Sequence, residues 1–195
     1  MKSNDAETMD LGSRRQLLFD PLFLERADKV NLVAERPFQD LSPVLTADKP
    51  WEDAGIGSFN TVAHENGSFR MWYDAMANEG DGPSHRALCH AESEDGVHWV
   101  KREQGHISFR GSKDNSIVAA SRMAGATVFR DERAPAEERY KLWTKYLASD
   151  EDRKRGIETG LWAMVSPDGL HWRLLQEEGY PLTRGNAADA QHTCF

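Results

Sequence analysis

The sequence holds only two cysteines in 195 residues, Cys89 and Cys194, too few for a disulfide framework or a four-cysteine zinc site. Basic charge is not in excess either. The 24 Lys and Arg stand against 32 Asp and Glu, for a formal charge of -8 and a pI near 5.4, so the clustered cations that bind nucleic-acid phosphate are not expected. No run approaches the roughly 20 apolar residues of a membrane helix, and no membrane association is expected. The polar stretch Met1 to Asp20 has no apolar segment of signal-peptide length. A cytoplasmic location is expected on this N-terminus, and a secreted or periplasmic one if upstream sequence is missing. Also missing are a His-Glu-x-x-His pair, a Gly-rich phosphate loop, a Gly-x-Ser-x-Gly elbow and a cysteine in a nucleophilic setting. No metal and no cofactor are expected, and acyl-transfer and nucleotide chemistry are disfavoured.

What is present is an ordinary globular composition, 39% hydrophobic and 29% charged, organised by a repeat. Phe69-Arg70-Met71-Trp72-Tyr73, Ala87-Leu88-Cys89-His90-Ala91 and Ser93-Glu94-Asp95-Gly96-Val97-His98-Trp99 are followed by a second series. That series is Tyr140-Lys141-Leu142-Trp143-Thr144, Gly160-Leu161-Trp162-Ala163-Met164-Val165 and Ser166-Pro167-Asp168-Gly169-Leu170-His171-Trp172. The two Ser-x-Asp-Gly-x-His-Trp segments sit 73 positions apart, and Thr61-Val62, Thr127-Val128 and Thr193-Cys194 recur at steps of 66. The chain is therefore expected to hold two repeats and the start of a third, as a fragment of a longer protein.

Each repeat reads as β structure, because the runs are short, rich in Val, Thr and aromatics, and bounded by turn residues. Strands are expected near 58–63, 69–75, 86–93 and 97–102, then near 126–129, 140–145, 160–165 and 170–175. Asn66-Gly67 and Asp95-Gly96 supply tight turns. Four antiparallel strands at a period of about 70 predict an all-β, propeller-type architecture, with about two blades present. Residues 1–50 read as a leader with ring-closing strands near Leu17–Asp20, Phe23-Leu24 and Val30–Val33 and an extended connector from Pro37. Residues 51–195 read as the blades. The charged stretch 148–158 reads as a solvated insertion.

The paired Ser-x-Asp-Gly-x-His-Trp segments are read as structural, since a blade element recurs whereas an active centre is used once. Asp131, in Phe129-Arg130-Asp131, resembles the Arg-Asp motif of β-fructofuranosidase-type enzymes but follows its inner strand, so it is read as a turn residue. Carboxylates and aromatics at strand mouths suit carbohydrate chemistry, where one carboxyl acts as acid and another as base or nucleophile. The candidates are Glu52, Asp53 and Asp189 as carboxylates, Trp51 as a stacking platform for a sugar face, and Asn60, Gln191 and His192 as hydroxyl partners.

Trp51-Glu52, Gly55-Ile56-Gly57-Ser58-Phe59-Asn60-Thr61-Val62, Phe69-Arg70-Met71-Trp72-Tyr73 and Cys89-His90-Ala91-Glu92-Ser93 together resemble a known group. It comprises bacterial proteins similar to the N-terminal propeller of glycosyl hydrolase family 32, within the wider set that includes families 43 and 62. Gly111-Ser112-Lys113-Asp114-Asn115, Arg139-Tyr140-Lys141-Leu142-Trp143 and Asp189-Ala190-Gln191-His192 continue the resemblance. It implies a five-bladed β-propeller that processes an oligo- or polysaccharide. Where the fructosidase pattern has an Asp-Pro-Asn-Gly-like element, this chain has Ser58-Phe59-Asn60-Thr61, and the nearest acids are Glu52 and Asp53. Hydrolysis of a glycosidic bond by Asp189 with Glu52 or Asp53 is the expected activity of the full-length protein, with the fragment inactive and aggregation-prone alone. The rivals are a non-catalytic carbohydrate-binding propeller and a structural or protein-interaction propeller.

Overall fold

Short apolar runs separated by turn residues fold here as antiparallel sheets. The computed structural model describes residues 12–13, 26, 28–78, 86–120, 123–148, 150–175 and 181–185. The chain divides into two units, 1–41 and 42–195. In the first, the described residues form no helix or strand. Val30, Leu32 and Val33, expected in a strand, are more than half exposed. A strand exists only through a paired neighbour, and 28–41 offers no second run to pair with. The strands expected at Leu17–Asp20 and Phe23-Leu24 lie outside the described residues.

The second unit is all-β. Its first sheet has the order β1 (Gly55–Glu65), β2 (Ser68–Met76), β3 (Arg86–Ser93) and β4 (Ile117–Ala120). The second contains β5 (Met123–Arg130), β6 (Tyr140–Tyr146), β7 (Gly160–Ser166) and β8 (Arg173–Leu174), with β9 (Thr183–Arg184) also pairing with β7. All pairings are antiparallel. The β1–β2 turn is the expected two-residue hairpin, with Asn66 at φ 53° and Gly67 at φ 82°, the left-handed pair of a primed turn.

The outer edge departs from expectation, and in the same way in both sheets. No strand forms over 97–102. Val100 makes a single bridge to Glu92, and the chain then leaves the sheet and returns as β4 against Ala87–Cys89. In the second sheet the edge is likewise divided between β8, paired at Met164 and Val165, and β9, paired at Gly160 and Leu161. The cause lies in the Ser-x-Asp-Gly-x-His-Trp segments, whose backbone amides are taken by their own side chains. Asp95 Oδ1 accepts from the N–H groups of Val97 and His98, and Ser93 Oγ from that of Gly96. Asp168 and Ser166 repeat these bonds with Leu170, His171 and Gly169. Donors so engaged cannot continue a ladder. The hydrogen-bonded turn accords with the structural reading of the motif.

Packing follows the two-residue period of the strands. Thr61, Trp72 and His90 stand side by side on one face of the first sheet, and Val62, Met71 and Ala91 on the other. The Trp72 face meets the second sheet in a core with Leu88, Val118, Met123, Val128, Tyr140 and Leu142. The second sheet's turn is keyed into this junction. Trp72 Nε1 donates to Gly169 O at 2.7 Å, Arg70 to Asp168 O at 2.7 Å, and the Val128 N–H to Thr61 Oγ1 at 3.2 Å. The Met71 face is covered by Trp51, Leu45, Trp99, Ile107 and Phe109. Between β6 and β7 the charged insertion contains a short helix, α1 (Asp150–Lys154), with acids in its first turn and bases in its last, as the helix dipole favours. Asp131 sits in the turn after β5, its Oδ1 accepting from the Arg133 N–H.

Candidate functional site

The two sheets share one plan, so a buried polar group present in only one of them is not explained by that plan. The end of the first sheet where β1 begins and β2 ends carries such a group. β1 is bulged there: Ile56 pairs with Ala75 and Asn60 with Tyr73, four positions against two. The bulge wraps Asp74. A Cβ on Gly57 would fall 2.7 Å from Asp74 Oδ2, so glycine lets this backbone approach the carboxylate. Asn60 Nδ2 donates to Gly57 O, and Asn60 Oδ1 accepts from the Asp74 N–H. Arg86, the first residue of β3, places Nη1 2.9 Å from Asp74 Oδ2. Asp74 is 4% exposed, and burial pushes its carboxyl up to about 6 against the pull of Arg86. At the corresponding places of the second sheet stand Lys145, Ala126 and Thr159, although the register break recurs between Ala124 and Thr127.

The residues expected from sequence distribute as follows. Asp53, just before β1, is partly exposed and held by Arg110 Nη2 at 2.9 Å and by the Asn78 N–H at 2.7 Å. The Asn78 amide first, then Arg110, keep its carboxyl below the ordinary range. Asn60 stands beside Asp74, as described. Glu52 is 1% exposed. Its Oε1 accepts from Tyr73 Oη at 2.6 Å, and its Oε2 from Lys101 Nζ at 2.6 Å and from the Asp48 N–H at 3.0 Å. Lys101 also donates to Thr46 O and Asp48 Oδ1. This buried pair ties the segment 46–52 to the first sheet and leaves Glu52 no free face for a ligand. Trp51 is 7% exposed within the apolar cluster on the Met71 face, so its rings are spent on packing. Asp189, Gln191 and His192 lie outside the described residues.

Asp74 and Arg86 were not singled out by the motifs. The signal was there: an aspartate interrupting Met71-Trp72-Tyr73-Asp74-Ala75-Met76 where the second copy, Leu142-Trp143-Thr144-Lys145, has a lysine.

Two carboxylates at one end of the first sheet are thus set in opposite states. Below about pH 6 Asp74 holds its proton, whereas Asp53 is kept ionised. Carboxyls held in different protonation states by their environments are what acid–base chemistry uses. Among the described residues no group of three His, Cys, Asp or Glu could hold a metal ion, and no helix is long and apolar enough to cross a membrane.

The chain matches no family model. Two uncharacterised proteins of Mycobacterium tuberculosis, from strains CDC 1551 / Oshkosh and ATCC 25618 / H37Rv, are each 34% identical to it over 151 residues. That match covers 75% of this chain and 44% of theirs, so the chain spans less than half the length of the curated relatives it matches.

Proposed function

We propose that the protein hydrolyses a glycosidic bond in an oligo- or polysaccharide, at the end of a β-propeller blade formed by the first sheet. The observation that carries the reading is Asp74, a buried carboxyl raised to about 6 and present in only one of two otherwise parallel sheets. In this reading Asp74 donates the proton to the departing sugar oxygen. Asp53 serves as the ionised partner, and Asn60 and Arg86 orient hydroxyl groups. Asp189 takes the place of Asp53 if the Asp53→Asn variant keeps its turnover.

The propeller part of the proposal draws on the shared plan of the sheets. β4 leads directly into β5, and the innermost strands β1 and β5 lie side by side, joined by the Thr61 bond to Val128. Stacked four-stranded sheets connected from outer strand to next inner strand are how blades follow one another. Five blades remain the expectation from the resemblance to glycosyl hydrolase families 32 and 43.

Turnover of a panel of aryl glycosides by the full-length protein tests the chemistry. Asp74→Asn should abolish hydrolysis while sugar binding persists, and the wild-type rate should fall as pH rises past about 6 and Asp74 ionises. Unchanged turnover in Asp74→Asn refutes the assignment. A non-catalytic sugar-binding propeller is the second reading, favoured by the Arg86 contact that already occupies an Asp74 oxygen. Binding without hydrolysis across the whole panel would select it.

A further inference from the structure

The face of the second sheet that meets the first is not filled along its whole length. Over β6, β7 and β8 it leaves a cavity of about 370 Å³, walled by Thr144, Trp162, Trp172 and Leu174, with Val118 and Met123 opposite. In the first sheet the equivalent places are packed. Thr144 pairs with Trp162 as Tyr73 pairs with Cys89, and Leu174 follows Trp172 as Lys101 follows Trp99. Tyr73 is fully buried, and Lys101 lies over its ring and pairs with Glu52. Threonine in place of that phenol gives up the space of a ring, and leucine in place of that lysine gives up the charge. Trp162, where the first sheet has Cys89, supplies an aromatic wall instead. Among the described residues no charged side chain lines the cavity, so an ionised ligand would be buried there unpaired, at high cost.

One wall carries an unsatisfied donor. In the first Asp-Gly turn Trp99 Nε1 donates to Gly96 O. Its counterpart Trp172 does not close the same bond, and Gly169 O accepts instead from Trp72 Nε1 of the first sheet at 2.7 Å. Trp172 Nε1 is left buried with no hydrogen-bond partner among the described residues, a state that folded proteins seldom keep. We propose that the cavity binds an uncharged aromatic small molecule of two fused rings, carrying a hydrogen-bond acceptor for Trp172 Nε1. An apolar cavity of about 150 Å³ holds one benzene ring, so the space here admits two. Trp162, whose own Nε1 is fixed on Glu158 O, offers a ring for the ligand to pack against. None of the lining residues belongs to the site at Asp74, so this inference and the hydrolase reading stand or fall separately.

Equilibrium dialysis of the full-length protein against coumarin and against naphthalene tests it, since the two share a two-ring frame and only coumarin has a carbonyl oxygen. Both should bind the wild type. Thr144→Tyr, which returns the first sheet's residue to this face, should weaken both at least tenfold. Leu174→Trp, a filling substitution at a position 42% exposed, should do the same and serves if Thr144→Tyr does not fold. Trp172→Phe removes the donor and keeps an aromatic wall. Coumarin should then lose at least threefold more affinity than naphthalene, the effect of one neutral hydrogen bond. The proposal is overturned by an absence of coumarin binding up to about 1 mM, by undiminished binding in a folded filling variant, or by equal losses for the two compounds on Trp172→Phe.

Discussion

Asp74 should make the protein less stable at neutral pH than at pH 4, and the size of the effect follows from its surroundings. The carboxyl rises from 3.8 in the unfolded chain to about 6 in the fold, chiefly through burial. Because the folded value is the higher one, the fold favours the neutral acid. Its contribution is fully present below about pH 3.8, is lost as pH rises to about 6, and stays lost above that. A shift of about 2 units corresponds to about 3 kcal/mol. Asp74→Asn removes the titration while keeping the side-chain shape. The stability difference between variant and wild type, read by urea unfolding with tryptophan fluorescence, should therefore swing by about 3 kcal/mol in the variant's favour between pH 3.5 and 7.5. Other groups titrate equally in both proteins and cancel. A difference that stays constant over this range would refute the raised carboxyl and remove the observation on which the proposed chemistry rests. A stabilised but inactive Asp74→Asn would be the usual exchange of stability for function.

Three further outcomes are expected. Gly169→Ala should cost more than Gly96→Ala by at least about 1 kcal/mol in thermal unfolding. Both glycines have φ near +76°, which strains alanine equally, but only at Gly169 would the new Cβ lie 2.7 Å from the Trp72 ring. Lys101→Met should destabilise by about 3–5 kcal/mol, because it strands the buried Glu52 carboxylate. Adding Glu52→Gln should restore part of that loss, and additive losses would contradict the buried pair. His90, pushed down to about 3 by burial and then by Arg70, should show ring NMR shifts that stay flat from pH 8 to 5. Its contribution to stability is full above about pH 6.5 and is lost as pH falls from there toward 3, so a midpoint near 6.5 would show that it is not buried as described.

The covered face of the first sheet bears on the same site. Lys101, Glu52 and Tyr73 hold the segment that leads into β1, and that segment ends at Asp53. Substitutions at Glu52 should therefore disturb the site through the position of Asp53, with a loss of stability that a direct catalytic role would not require.

The sequence by itself determined the first three strands of each sheet and the turn between β1 and β2. Runs bounded by Asn66-Gly67 and Asp95-Gly96 pair with the runs next to them along the chain, so the turn residues and the two-residue period suffice to place them. Its internal repeat also marked the Asp-Gly segments as architecture. Only the tertiary structure decided where the edge strands fall, because 97–102 and 117–120 compete for the same edge of β3, and the winner depends on which amides the Asp95 turn has already consumed. It likewise decided the fate of the acids. Glu52 and Asp53 are adjacent in sequence, yet a buried lysine closes over one while an arginine at the surface holds the other. Asp74 became a candidate only when the bulge of β1 closed over it, since desolvation is set by what packs around a carboxyl and not by its neighbours along the chain.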